Sequence, residues 1–152
     1  MAGHATPATR VAAAAGIPFT LHEYTHDPSA PAYALEAAEA LGVEPARVFK
    51  TLVVTVDDRL LVCLVPADRT LDLRRLGKRA ALAPSRRAEA ATGYVTGGIS
   101  PLGQRRRLPT LIDEAALHHE TVFVSAGRRG LELELRPPDL VDLTAAQTRA
   151  LG

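Results

Sequence analysis

The sequence has little cysteine, little lysine and no long apolar run. Its single cysteine, Cys63, excludes an internal disulfide, and one thiol cannot complete a structural zinc site. The purely apolar runs are far too short to span a bilayer, and no charged segment followed by an apolar stretch marks a signal peptide. We therefore expect a soluble cytoplasmic protein with no membrane partner. The length of 152 residues matches one ordinary domain, so we expect residues 1–152 to form a single domain.

Several catalytic motifs are also missing. Neither Ser100 nor Ser125 lies in a G-x-S-x-G elbow, and the segment GISPLG lacks the Gly-Lys-Ser/Thr ending of a phosphate-binding loop. The five histidines show no metal-ligand spacing, and Cys63 lies in the apolar run LLVCLV, which is typical of a core position. These absences disfavour serine hydrolysis, nucleotide hydrolysis and metal catalysis, and we expect no metal and no cofactor.

Positive charge is concentrated in one segment. Residues 69–107 contain ten Lys or Arg against two Asp or Glu, although the net charge of the whole chain is only +1. Such clustering indicates a polyanionic partner, with a solvated arginine-rich surface as the alternative. Sixteen of the 18 basic residues are arginine, so the two lysines stand out. Lys50 lies between Phe49 and an apolar strand, where burial would lower the pKa of its amine.

Turn residues and hydrophobic periodicity predict a mixture of short helices and strands. Two β-rich runs separated by Asp57-Asp58 predict an antiparallel hairpin, so we expect one α+β domain rather than a dinucleotide-binding βαβ fold. The predicted helices cover 7–16, 32–41, 71–79, 84–91 and a last segment from about 138, and the predicted strands cover 19–24, 49–56, 59–65, 94–96, 110–113, 120–125 and 131–135.

Three segments could converge on one site. Lys50 and Thr51 begin a predicted strand, Gly97-Gly98 forms a turn whose amides can approach a ligand closely, and 127–130 forms a second glycine turn. Glycine amides could hold a carbonyl oxygen while Lys50 and nearby arginines neutralise phosphates. Both glycine turns could instead be ordinary turns.

At these residues the chain resembles the YbaK family of aminoacyl-tRNA deacylases, which is related to the editing domain of bacterial prolyl-tRNA synthetases. The resemblance covers nearly the whole chain and is carried by four ordered blocks. It is greatest to the free-standing Cys-tRNA(Pro) deacylase branch. The blocks are HEYTHDP at 22–28, VFKTLVV at 48–54, TGYVTGGISPLGQRRRLPT at 92–110 and VSAGRRGLELEL at 124–135.

The resemblance implies a mixed, mostly antiparallel and partly barrel-like sheet flanked by helices, with a pocket for the aminoacylated 3′ end of tRNA. It implies that the thiol of the mischarged cysteine attacks its own ester carbonyl and releases tRNA as a thiolactone forms. Glu132 stands where the family often has aspartate. The implied catalytic residues are Lys50, Gly97 and Gly98, the implied substrate-binding residues are Tyr24, Thr51, Ile99, Ser100 and Glu132, and the implied tRNA-binding residues are Arg105, Arg106, Arg107 and Arg128.

Two alternatives stay open from the sequence. The substrate could be another mischarged tRNA such as Ala-tRNA(Pro), because related enzymes edit different amino acids. The chain could also be a noncatalytic module that binds tRNA or a synthetase. Prolyl-tRNA synthetase is a candidate partner in either case, since the sequence contains no identifiable reader of the anticodon.

Overall fold

The computed structural model describes residues 4–30 and 32–152, and within them it contains four α-helices and eight β-strands. Short 3₁₀ segments at Pro45–Arg47, Leu73–Leu76 and Glu114–His118 lie among the connections. The helices are α1 (Pro7–Ala15), α2 (Tyr33–Leu41), α3 (Ser85–Thr92) and α4 (Pro137–Thr144), and the strands are β1 (Phe19–Glu23), β2 (Phe49–Val56), β3 (Arg59–Pro66), β4 (Ala80–Leu82), β5 (Thr110–Asp113), β6 (Val122–Arg128), β7 (Leu131–Leu135) and β8 (Gln147–Arg149).

Local sequence signals explain the ends of the first helix. The Thr6 hydroxyl accepts a hydrogen bond from the Thr9 amide, and Pro7 occupies the first turn, where its missing N–H costs nothing. Gly16 ends the helix with a φ of 69°, a conformation that glycine adopts without strain. The predicted helix over 7–16 is therefore confirmed.

The predicted hairpin is confirmed as β2 and β3. Asp57 and Asp58 both have positive φ, of 51° and 66°, which is the geometry of a tight two-residue hairpin turn. The strands pair along their whole length, from Phe49 opposite Pro66 to Val56 opposite Arg59. This hairpin forms the centre of the larger sheet and places Lys50 near its open end.

The strands form two sheets that meet at one edge. The smaller sheet has the antiparallel order β1-β7-β6, and the larger has the order β4-β2-β3-β5-β8, in which the β3–β5 and β5–β8 pairs are parallel. A parallel bridge between Val48 and Phe123 joins the two sheets. The predicted α+β fold class, with mostly antiparallel strands flanked by helices, is thus confirmed, although the strands form two sheets rather than one.

Two predicted elements are wrong. The expected helix over 71–79 is a single 3₁₀ turn, because the Asp72 side chain caps the Arg74 amide and the Asp72 amide bonds to the Leu151 carbonyl. The expected strand at 94–96 is a turn, because the Thr96 amide donates to the Glu89 carboxylate and no strand of the described ranges pairs with it. The sequence analysis also missed β4 and β8, which are three residues long and mostly exposed.

The remaining predicted elements are confirmed, with ends shifted by a few residues. The main core lies between the sheets and helices α1, α3 and α4, and includes Leu64, Ile112, Leu133 and Leu140, each fully buried. Cys63 is also fully buried, and burial raises the pKa of its thiol to about 12, as suits a core side chain. No helix in the described ranges is long and apolar enough to cross a membrane.

Candidate functional site

A cavity of about 340 Å³ opens between α2, the start of β2 and the glycine turn after α3. The smaller sheet contributes its floor, through β6 and β7. Apolar side chains and small polar groups share the lining, as in most small-molecule sites. The lining residues are Tyr24, Ala32, Tyr33, Ala34, Leu35, Phe49, Lys50, Thr51, Leu52, Ala67, Thr96, Gly97, Ile99, Ser125 and Glu132.

Lys50 supplies a lysine amine to this lining. It lies on β2 opposite Val65 and next to Phe49, which is buried, while Lys50 itself is half-buried. Partial burial lowers the pKa of its amine, and the nearby Asp68 carboxylate opposes that shift. Among the described residues no carboxylate lies close enough to form an ion pair with it. Its charge is therefore available to a ligand in the cavity.

Glu132 is an acid with almost no contact with solvent. It lies on β7 between His22 of β1 and Ser125 of β6, on the face of the strand away from the core leucines. Only 7% of the residue is exposed, and this burial raises the pKa of its carboxyl to about 8. Glu132 is consequently protonated at neutral pH, and it presents a neutral carboxylic acid to the cavity.

One hydroxyl group of the cavity lining, that of Thr51 on β2, is buried without a hydrogen-bond partner among the described residues. An unpaired buried hydroxyl costs about 1 to 3 kcal/mol. A bound substrate with a polar group would remove that cost, so the Thr51 hydroxyl marks where a ligand is expected to donate or accept. The Thr96 hydroxyl, by contrast, lies beside the Glu89 carboxylate and helps to lower the pKa of that carboxyl.

Tyr24 closes one side of the cavity. Its amide donates to the Gly130 carbonyl, which ties the end of β1 to the turn between β6 and β7. Burial, followed by the proximity of Glu132, raises the pKa of the Tyr24 phenol to about 12, so the phenol stays protonated and can donate a hydrogen bond.

Comparison with known proteins identifies the family of this site. The family model described as "Aminoacyl-tRNA editing domain" matches residues 28–143, which is most of the chain and includes most of the cavity lining. The chain belongs to this family.

Two individual relatives are similar to the chain over most of its length, and the name of the first agrees with this assignment. The chain is 39% identical over 117 residues to a protein of Enterococcus faecalis named "Putative Cys-tRNA(Pro)/Cys-tRNA(Cys) deacylase EbsC", covering 72% of this chain and 71% of the relative. It is 25% identical over 114 residues to the uncharacterized protein YwhH of Bacillus subtilis, covering 72% and 73%.

A solved structure supports the same fold. It is described as "a putative trans-editing enzyme for prolyl tRNA synthetase" and superposes with a TM-score of 0.80 at 28% identity, covering 97% of both chains. The family, the editing-deacylase class and the fold expected from the sequence are thus confirmed.

Six of the residues expected at the editing site line the cavity together. They come from separate blocks of the sequence, which the two sheets and the glycine turn bring together. These six are Tyr24, Lys50, Thr51, Gly97, Ile99 and Glu132.

Gly98 and Ser100 lie outside the cavity, and their expected roles need correction. The Gly98 amide donates to the Val95 carbonyl at 2.8 Å, so it has no N–H left for an ester oxygen. A Cβ on Gly98 would lie 2.8 Å from the Arg128 Cα, which makes close backbone packing the reason for this glycine. Ser100 is fully buried, and its hydroxyl accepts from the Leu102 amide, so it stabilises the loop rather than the substrate.

The arginines expected to bind tRNA lie away from the cavity lining. Arg105, Arg106 and Arg107 are exposed and form no ion pair within the described ranges, while Arg107 lines a separate shallow cavity. Arg128 is half-buried; it donates to the Arg129 carbonyl and pairs with Glu23 at 3.4 Å. Three of the four arginines are thus available to a polyanion, whereas Arg128 also holds the β6–β7 turn.

Sequence reasoning missed four polar or aromatic residues of the lining: Tyr33, Phe49, Thr96 and Ser125. Thr96 and Ser125 both lie inside the matched sequence blocks, so their position gave a usable signal. Tyr33 begins the alanine-rich helix α2, and nothing in that helical pattern distinguishes a cavity-lining aromatic from a core residue. Its role emerges only from the packing of α2 over the smaller sheet.

Proposed function

We propose that this protein removes cysteine from mischarged Cys-tRNA(Pro) in the cytoplasm, acting in trans, and that Cys-tRNA(Cys) is a secondary substrate. The observation that carries the proposal is which titratable side chains line the cavity and which do not. Among the described residues its lining includes no histidine, no cysteine and no aspartate, and its one carboxyl, Glu132, is protonated at neutral pH. Such a site offers neither a histidine nor an ionised carboxylate as a general base for activating water. A substrate that brings its own nucleophile avoids this requirement.

The cysteinyl ester supplies that nucleophile. Its thiol sulfur attacks the ester carbonyl carbon, a carbon–sulfur bond forms, and the ester carbon–oxygen bond breaks. The thiol proton goes to the departing ribose oxygen, so the products are uncharged tRNA and a cyclic thiolactone, with no water consumed in the step. The protein contributes orientation of the thiol and stabilisation of the developing charge.

The lining residues divide this work according to their chemistry. The Lys50 ammonium stabilises negative charge on the thiolate or the oxyanion, and the Gly97 turn admits the carbonyl group closely. The Thr51 hydroxyl binds a polar group of the terminal adenosine or of the amino acid. Tyr24 and the protonated Glu132 donate hydrogen bonds at the back of the cavity.

The test is deacylation of a panel of charged tRNAs by the wild-type protein and by Lys50→Ala. We expect Cys-tRNA(Pro) to be cleared fastest, and we expect Lys50→Ala to lower that rate at least about tenfold, the loss of roughly one charged transition-state contact. Ala-tRNA(Pro) and Ser-tRNA(Pro) are the matched substrates, since they differ from Cys-tRNA(Pro) chiefly in the missing thiol. Lys78→Ala is the matched lysine control, because Lys78 lies outside the cavity lining.

Other outcomes select the alternatives. Equal clearance of Ala-tRNA(Pro) and Cys-tRNA(Pro) would rule out the thiol as nucleophile and favour an alanine-editing enzyme that uses water. Binding of charged tRNA without loss of the amino acid would favour a noncatalytic module. An unchanged rate in Lys50→Ala would remove Lys50 from the mechanism.

Selection among tRNAs is assigned to a partner. The candidate site binds only the aminoacylated 3′ end of the tRNA and not the anticodon. We therefore propose that prolyl-tRNA synthetase presents the mischarged tRNA. Adding the synthetase should increase the preference for Cys-tRNA(Pro) over Cys-tRNA(Cys). Tight, anticodon-dependent binding by the isolated protein would contradict this division of labour.

A further inference from the structure

Arg129 joins two elements that border the mouth of the cavity. It lies in the turn between β6 and β7, and its guanidinium carbon lies 4.3 Å from the centre of the Tyr33 ring at the start of α2. The same guanidinium donates from Nη2 to the Thr96 carbonyl at 2.8 Å. Tyr33 and Thr96 line the cavity, whereas Arg129 does not. One side chain therefore holds the helix and the glycine turn at a fixed separation.

The glycine turn is shaped to receive this guanidinium. Gly97 has a φ of 92°, and a Cβ at this position would overlap the Arg129 Nε and lie 2.9 Å from Cε2 of Tyr33. The absence of a side chain at Gly97 is thus what allows the arginine and the tyrosine to pack against the turn. This packing gives Gly97 a second role besides close approach to the ester.

The arrangement is not the one that stability alone would favour. The Arg129 Nε is buried without a hydrogen-bond partner among the described residues, and no carboxylate there pairs with the guanidinium. A buried unpaired donor costs about 1 to 3 kcal/mol, and an apolar side chain of similar volume would avoid that cost. The position of this cation, in contact with two cavity-lining segments, indicates a role in the geometry of the site.

We propose that Arg129 is a positioning residue of the editing site, a role that rests on the proposed deacylase function. By holding Tyr33 and the turn at Thr96, it sets the width of the cavity mouth and the place of Gly97 relative to the ester. An intramolecular attack by the substrate thiol requires the ester carbonyl carbon to be held in one orientation. If α2 and the glycine turn are no longer held at a fixed separation, the rate of the chemical step should fall more than the affinity for tRNA.

The test compares Arg129→Ala, Arg129→Lys and wild type in steady-state deacylation of Cys-tRNA(Pro). We expect Arg129→Ala to lower kcat at least about tenfold while KM changes less than about threefold. Millimolar methylguanidinium should restore part of the lost kcat in Arg129→Ala and leave wild type unaffected. Arg129→Lys should fall between them, since an ammonium keeps the charge over the ring but lacks the planar fork. Arg136→Ala is the matched control, because Arg136 is 57% exposed at the far end of β7.

A double-mutant cycle with Gly97→Ala tests the packing directly. The added methyl should displace the guanidinium and also hinder close approach of the ester, so kcat should fall at least as far as in Arg129→Ala. The two changes together should cost much less than the sum of their separate effects, since both remove the same contact. Fully additive losses would show that Gly97 and Arg129 act independently and would overturn the packing argument.

Hydrogen exchange separates failure of this role from failure of the deacylase function. In Arg129→Ala, amides of 33–36 and 96–99 should exchange faster than in wild type, while those of β2 and β3 keep their rates. Unchanged exchange in both segments, or an unchanged kcat in an active protein, would overturn the role of Arg129. If wild type clears no charged tRNA, the proposed function falls and the positioning role falls with it. General destabilisation of the protein would also overturn the proposal. It would appear as faster hydrogen exchange throughout the protein, together with a loss of kcat that methylguanidinium does not restore.

Discussion

At the residue scale, Glu132 shows how burial changes the chemistry of a side chain without changing its identity. Its position in the block GLELEL predicts an acid near the substrate, and an exposed carboxyl would be ionised at neutral pH. Burial between neighbouring strands raises the pKa of this carboxyl to about 8 instead. The carboxyl that would be an ionised acceptor on the surface is therefore a hydrogen-bond donor in the site.

This shift makes a prediction about stability against pH. In the unfolded chain Glu132 ionises near the ordinary glutamate pKa of 4.5, whereas the folded group stays protonated until about pH 8. The folded state binds the extra proton between these values, so the unfolding free energy should fall as pH rises from about 5 to 8. Glu132→Gln should remove that component, so between pH 5 and pH 8.5 wild type should lose about 3 to 5 kcal/mol more unfolding free energy than the variant.

Urea unfolding at pH 5 and pH 8.5 measures this difference. Glu120→Gln provides the control, because Glu120 is exposed and its replacement should leave the pH profile unchanged. Parallel pH profiles for wild type and Glu132→Gln would contradict a buried, protonated acid in the folded protein.

At the element scale, the loop between α3 and β5 packs closely against α1 at Gly103. Gly103 has a φ of 70°, and a Cβ there would lie 2.7 Å from the Pro7 carbonyl carbon and oxygen. Gly16, at the end of α1, has nearly the same φ of 69° but has nothing within 4 Å of the added carbon. A side chain at Gly16 would therefore meet only the strain of a left-handed backbone, whereas a side chain at Gly103 would meet that strain and also collide with the backbone of α1.

Substituting each glycine by alanine should give different losses of unfolding free energy. Gly16→Ala should cost about 1 kcal/mol, which is the strain of a left-handed alanine. Gly103→Ala should cost about 2 to 4 kcal/mol, because the loop must also move away from backbone atoms that cannot rotate aside. Chemical denaturation of both variants measures the difference, and equal losses would show that the loop and α1 separate freely.

Most elements could be predicted from the sequence because their signals are local. Thr6, Pro7 and Gly16 mark the ends of α1, and the Asp57-Asp58 turn marks the hairpin, in agreement with the structure. The segment 71–79 could not be predicted, because the Leu151 carbonyl at the other end of the chain binds the Asp72 amide. The candidate site divides in the same way: Lys50 and Gly97 come from recognisable blocks, whereas Tyr33 reaches the cavity through packing that no local pattern encodes.

At the scale of the whole molecule, ion pairs reduce the charge of the basic segment 69–107. Arg74 and Arg75 pair with Asp72 inside the segment, while Arg79 and Arg87 pair with the hairpin-turn acids Asp57 and Asp58. The basic residues of this segment that form no ion pair within the described ranges are Arg69, Lys78, Arg86, Arg105, Arg106 and Arg107. Three of these six are consecutive, so free positive charge is densest at 105–107.

This distribution predicts which arginines contribute most to tRNA affinity. Replacing Arg105, Arg106 and Arg107 together by glutamine should weaken the binding of all tRNAs alike. It should also reduce the slope of log affinity against log salt concentration by about 2, because fewer phosphate contacts form on binding and fewer counterions are released. Replacing the ion-paired Arg74, Arg79 and Arg87 removes the same formal charge and should reduce the slope by less than about 1. Filter binding of charged tRNA over a range of salt concentrations measures both slopes. Equal slopes for the two triple variants would mean that overall charge, rather than the free cluster at 105–107, attracts the tRNA backbone.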